Sequence, residues 1–95
     1  MAQVASKVQR EVDRLLDYLI TAWEGIPRVA QEIDQWDLVE QIDYVEEWAP
    51  KESQAIHLRK MMELPEVTEM QRRRYQQLER LMQANRPILD RLRAS

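Results

Sequence analysis

The chain has 95 residues, 44% of them apolar and 33% charged, with one Gly, no Cys, no Phe and a net charge of −3. That length suits one domain, residues 1–95, with one modest core that hides roughly 60% of the unfolded surface. The composition excludes disulfides, thiol chemistry, cysteine metal sites and glycine-rich phosphate loops, and its wealth of Glu, Gln, Arg and Leu favours an all-α fold over sheet or disorder.

The first helix is expected over residues 3–24. Val4, Val8, Val12, Leu15, Leu16, Leu19, Ile20 and Trp23 recur at helical spacing, with Lys7, Arg10, Asp13, Arg14 and Asp17 on the wet side. Gly25 is expected to stop this helix in the left-handed conformation open to a residue without Cβ. Pro27 suits the first turn of the next helix, where its missing N–H costs nothing. That second helix is short, over 28–35, with Val29, Ile33 and Trp36 on its apolar edge and Asp34 or Asp37 capping the third. Residues 37–48 present Leu38, Ile42, Val45 and Ala49 on one face, widened by Val39 and Trp48. The opposite face is Asp37, Glu40, Asp43, Glu46 and Glu47.

Pro50 removes a bond to the carbonyl of Glu46 and disfavours helical geometry at Ala49. A break at Ala49, with Pro50 in the first turn of a new helix, is favoured over a kinked continuous one. The new helix runs to about residue 63, with Ala55, Leu58 and Met62 inward, Ile56 and Met61 flanking them, and Pro65 ending it. Thr68 and Gln71 then form a capping-box pair. The last helix extends to about residue 93, and the apolar spacing that persists across Pro87 favours one kinked helix over two. The whole predicts an all-α bundle of four to five helices, kinked or broken at Pro50 and Pro87. Trp23, Trp36 and Trp48, near element ends, are expected to close the core, with each N–H finding an acceptor at the rim.

Within the last helix Tyr75, Leu78, Met82, Asn85, Leu89 and Leu92 follow spacings of 3, 4, 3, 4 and 3, a heptad seam with one polar place. These six are the interface candidates, with the chain's own core as the competing use. Charge is unevenly spread. Residues 26–67 carry four cations and ten anions, whereas residues 68–95 carry seven cations and three anions. Either the basic last helix answers the acidic middle within the chain, which is favoured, or one of the two faces steers a charged partner.

No catalytic residue, metal ligand or cofactor site is assigned. His57 is the sole histidine, and its spacing from Ser53 places both on one helical face without an oxyanion loop. Glu40, Asp43 and Glu47 form an acidic ladder without the Gly-containing loop of a calcium site. Arg72, Arg73 and Arg74, followed by Tyr75, are the nucleic-acid candidates, through phosphate contact and base stacking. The chain is acidic overall and those arginines spread around the helix, so this is the second reading. No apolar run of signal-peptide or membrane-spanning length is present, and a cytoplasmic location is expected.

Two stretches taken together resemble a group of small uncharacterised helical proteins of cyanobacteria and other bacteria. They are Ile33-Asp34-Gln35-Trp36-Asp37-Leu38-Val39-Glu40-Gln41-Ile42-Asp43 through Glu47-Trp48, and Arg74-Tyr75-Gln76-Gln77-Leu78 through Asn85-Arg86-Pro87-Ile88-Leu89-Asp90-Arg91-Leu92. The resemblance covers roughly residues 18–93. It brings no activity, cofactor or catalytic residue, and implies a protein-binding role like that of the partner-binding members of toxin–antitoxin pairs. The expectation is therefore a non-enzymatic protein–protein interaction module, a homodimer or the small partner of another bacterial protein. The alternative is a nucleic-acid-binding regulator. Neither a membrane nor a small-molecule substrate is indicated.

Overall fold

A computed structural model describes residues 6–94. Val4 and the expected helix start at residue 3 lie outside them. Helix α1 (Lys7–Glu24) begins after a capping box in which the Gln9 N–H donates to the Ser6 hydroxyl and the Ser6 N–H donates to the Gln9 side chain, both at 3.1 Å. Its buried stripe is Val12, Leu15, Leu16, Leu19, Ile20 and Trp23, as the spacing predicts. Gly25 ends the helix in a different way from that expected. Its φ of −78° and ψ of −13° are right-handed, so no property of glycine is used there. The break belongs to Pro27, in the first turn of α2 (Ile26–Glu32), which carries no N–H to continue the ladder. The second helix therefore starts two residues earlier than the sequence suggests. It tightens at Ile33–Gln35 into a 3₁₀ turn, closed by the Trp36 N–H donating to the Ile33 carbonyl at 3.0 Å.

Asp37 caps α3 (Leu38–Glu46) by accepting from the Glu40 N–H at 2.9 Å. Helix α4 (Trp48–Met61) follows after Glu47 alone, so the break comes two residues before Ala49 and Pro50 still falls in the first turn. Leu58 and Met61 are buried, and Ala55 and Met62 pack against the core. A second capping box, Thr68 with Gln71 at 3.0 and 3.1 Å, starts α5 (Glu69–Ala94). This helix passes through Pro87 unbroken. The Gln83 carbonyl that Pro87 deprives of a partner lies on the exposed face, where water can serve it.

The chain is all-α, and its five helical segments stack as three rods, two of them bent, with no strands among the described residues. Cross-rod bonds give the directions. Gln71 reaches Gln9, Arg74 reaches Asp17 and Asn85 reaches Trp23, so α1 and α5 run parallel. Glu52 meets Arg86 and Arg93 while the Met62 carbonyl meets Arg72, so α4 runs antiparallel to both. One core joins them, with Leu15, Leu16, Leu19, Ile26, Leu58, Leu78 and Leu89 almost fully buried. Trp23 and Trp48 meet edge to face at 4.9 Å at its upper end. Contrary to expectation, neither of their indole N–H groups has an acceptor among the described residues.

The bundle measures 53 × 22 × 19 Å, about two helix diameters in cross-section. A rod this thin has one layer of core, and an element at its end is covered on one side only. Helix α3 is in that position. Its inner side is Gln41, whose amide donates to the Trp36 carbonyl at 2.9 Å, and Tyr44, whose ring lies 5.8 Å from Trp36 and 6.2 Å from Trp48. The face expected to be inward points out instead. Leu38 is 69% exposed, Val39 67% and Ile42 46%. Val45 is half-buried and Ala49 is exposed. Tyr44 packs edge to face on both Trp36 and Trp48, and this contact turns its side of α3 inward.

Candidate functional site

The heptad seam is used within the chain. Tyr75, Leu78, Asn85 and Leu89 are buried in the core that α5 shares with α1, α2 and α4. Met82 is half-buried and packs on the same core, while Leu92 is half-buried near the end of α5. The polar place serves one particular acceptor, for the Asn85 amide donates to the Trp23 carbonyl at 2.8 Å. In helical register Trp23 is the residue whose carbonyl the Pro27 N–H would have filled. Gln71, the other buried polar residue of α5, donates to the Gln9 carbonyl and the Asp13 carboxylate, both at 2.9 Å.

The three nucleic-acid candidates are engaged by the protein itself. The Arg72 guanidinium donates to the Met62 carbonyl at 2.6 Å and the Leu64 carbonyl at 3.2 Å, closing the end of α4. Arg73 pairs with Glu69 at 3.6 Å and Arg74 with Asp17 at 2.7 Å. Farther along, Arg86 and Arg93 bracket Glu52 at 2.8 and 2.7 Å. Burial opposes ionisation of Glu52, but the two guanidiniums outweigh it and hold the carboxyl below its usual range. Arg86 also lies 5.1 Å over the Trp23 ring. Arg80 and Arg91 stand exposed on the outer face of α5.

Ser53 and His57 are both exposed on α4, and no hydrogen bond joins them. Among the described residues no cluster of His, Cys, Asp or Glu is arranged to hold a metal ion. No helix among the described residues is long and apolar enough to cross a membrane.

What the fold does create lies on α3. Glu52 is the acidic group of the middle segment that α5 answers, and Glu47 is answered locally by Lys51 at 3.7 Å. Asp34, Glu40, Asp43 and Glu46 have no cationic partner among the described residues. The crowding acts on Glu40, whose carboxyl is raised above its usual range, chiefly by a hydrogen bond and repulsion from Asp37, with Asp43 adding to it. Beside these carboxylates the exposed Leu38 and Ile42 lead into a groove of about 400 Å³. Its apolar walls are Ile33, Val45 and Leu92, and Asp34 and Glu46 stand at its rim. Leu92 is thus the one seam residue that also borders this groove.

Spacing alone ranks the α3 face as core, because its apolar residues repeat as a buried face would. The available signal is the acidic excess of residues 26–67, ten anions against four cations. An apolar helix face with Asp34 and Glu46 at its rim, neither with a salt-bridge partner among the described residues, is arranged to receive something basic and apolar. The chain matches no protein-family model, no curated protein and no solved structure, so its function is argued from this geometry.

Proposed function

We propose that this protein is a non-enzymatic helical interaction module, the small regulatory or antitoxin-like partner of another protein, and that it docks through α3. The observation that carries the reading is the uncovered row of Leu38, Val39 and Ile42 on a helix whose other side, through Tyr44, packs on Trp36 and Trp48. A cluster of that kind beside a groove is what partner-binding surfaces share. Arg72 and Arg74 are committed to carbonyls and a carboxylate of the chain, which weakens the nucleic-acid alternative, and Arg73 makes only an exposed pair with Glu69.

A photo-crosslinking residue placed at Val39 in the natural host tests this. It should trap a discrete protein adduct that is absent when the probe sits at Glu63, at the far end of the bundle, and that disappears with Ile42→Glu. Light scattering on the purified chain separates a second copy from a different partner. Identical adducts from both probe positions, or none from either, would remove the docking reading.

A further inference from the structure

We infer that the occupant of the α3 face is a basic amphipathic helix contributed by a different protein. This rests on the docking reading above and adds the chemistry of the partner.

The mode of recognition follows from what the surface lacks. Among the described residues every element is helical, so there is no sheet edge to which an extended peptide can add. Proline-rich ligands dock on aromatic-lined grooves. Here the rings of Trp36 and Tyr44 pack edge to face on each other at 5.8 Å and the groove walls are aliphatic. What remains is side-chain recognition of a helix. Leu38, Ile42 and Val45 succeed one another at spacings of four and three, the pitch at which a second helix can lay its own row of aliphatic side chains. Helix α3 has nine residues, about 13 Å of length, enough for two to three turns of a partner.

The charge of the partner follows from the rim. Asp34 and Glu46 stand at the rim of the groove and Asp43 lies one step farther round the helix, none of them with a salt-bridge partner among the described residues. A second copy pairing α3 on α3 would set these carboxylates against their own images, which opposes association. A second copy offering the outer face of α5 would bring Arg80 and Arg91. However, that face is otherwise Gln76, Gln83 and Pro87 and has no Leu, Ile or Val with which to fill the groove. An anionic lipid surface is repelled by the same rim. Lysines or arginines flanking a row of Leu or Ile satisfy both parts of the site together.

The probe is a dye-labelled helical peptide of about 14 Leu and Lys residues, with Leu at the spacings of one face. Its anisotropy is measured against the full chain, beside a peptide in which Glu replaces every Lys. The Leu/Lys peptide should bind, and the Leu/Glu peptide should not. Affinity should fall about tenfold or more between roughly 50 and 300 mM salt. Ile42→Ser should weaken binding about tenfold with the helical spectrum unchanged. Asp43→Lys with Glu46→Lys should abolish most of the salt dependence, whereas Glu63→Lys with Glu66→Lys, an equal charge change at the opposite end, should not. Equal binding of both peptides overturns the basic partner and leaves the docking face standing. Binding of the Leu/Lys peptide that ignores Ile42→Ser and responds alike to both charge-reversal pairs overturns the site itself. A dimer in light scattering that Ile42→Ser dissociates overturns the heterologous occupant in favour of a second copy.

Discussion

The Asn85 side-chain amide and the Trp23 carbonyl, 62 positions apart in sequence, form a buried 2.8 Å hydrogen bond that stands in for a backbone bond the chain cannot make. Pro27 occupies the place whose N–H would have served Trp23, and a buried carbonyl left without a partner costs about 1–3 kcal/mol. A polar residue in an otherwise apolar seam is thus explained within one molecule. It completes the α1–α2 junction and holds α5 in register with α1.

Asn85→Leu should therefore destabilise the fold by about 1–3 kcal/mol although it adds apolar surface to the core. Asn85→Asp, with the same shape and no donor, should cost at least as much. The two sites are coupled. Pro27→Ala restores an N–H in the register of Trp23, so the penalty of Asn85→Leu should shrink when both changes are combined. A double-mutant cycle in urea measures this, and additive energies would show that the two groups do not serve the same carbonyl.

Gly25→Ala should stabilise the protein. The backbone at Gly25 is right-handed, and an added Cβ would meet the Thr21 carbonyl at 3.6 Å and the Ala22 carbonyl at 3.7 Å, ordinary contacts. The expected gain is about 0.4–1 kcal/mol through lost freedom of the unfolded chain. It corresponds to a rise of several degrees in Tm. A fall in Tm would mean that the junction needs glycine after all.

Seam and α3 face should respond in opposite ways. Leu78 is fully buried, and Leu78→Ala should cost about 2–5 kcal/mol. Leu38 is 69% exposed, and Leu38→Ser should change stability by no more than about 0.5 kcal/mol while weakening partner binding. Chemical denaturation of both variants distinguishes the surfaces, and a large loss from Leu38→Ser would place α3 in the core.

Acid should loosen the junction of α4 and α5. The carboxyl of Glu52 is held below its usual range by Arg86 and Arg93, so its stabilisation is complete above the unfolded value and is lost as pH falls through the lowered one. Because Arg86 is partly exposed, the contribution is on the order of 1 kcal/mol or less. Glu52→Gln should lower stability by about that amount at neutral pH and flatten this part of the acid profile. An unchanged profile would remove Glu52 from the account.

Much of the architecture is legible in the sequence because its determinants are local. The stripe of α1, the caps at Asp37 and Thr68, Pro50 in a first turn and one helix through Pro87 all depend on residues within one or two turns. The Ser6–Gln9 capping box has the same hydroxyl-x-x-Gln form as Thr68–Gln71, so the cap ahead of Lys7 is also a local signal. The departures are of another kind. A glycine at position 25 permits a left-handed stop, but the neighbouring proline already makes the break. Leu38 and Ile42 have the spacing of a core face, yet both are exposed.

Sequence by itself determined that the chain is helical, where each helix can begin and which residues are apolar enough to be buried. Tertiary structure decided which of them are buried. The seam of α5 found a place in the shared core, and its one polar place found the Trp23 carbonyl, which the proline at position 27 cannot serve. The similar row on α3 found nothing among the described residues. Trp36, Tyr44 and Trp48 claim the other side of that short helix, and a bundle two helices thick has no second layer to set against it. Spacing encodes the existence of an apolar face, but only packing geometry assigns it to the core or to a partner.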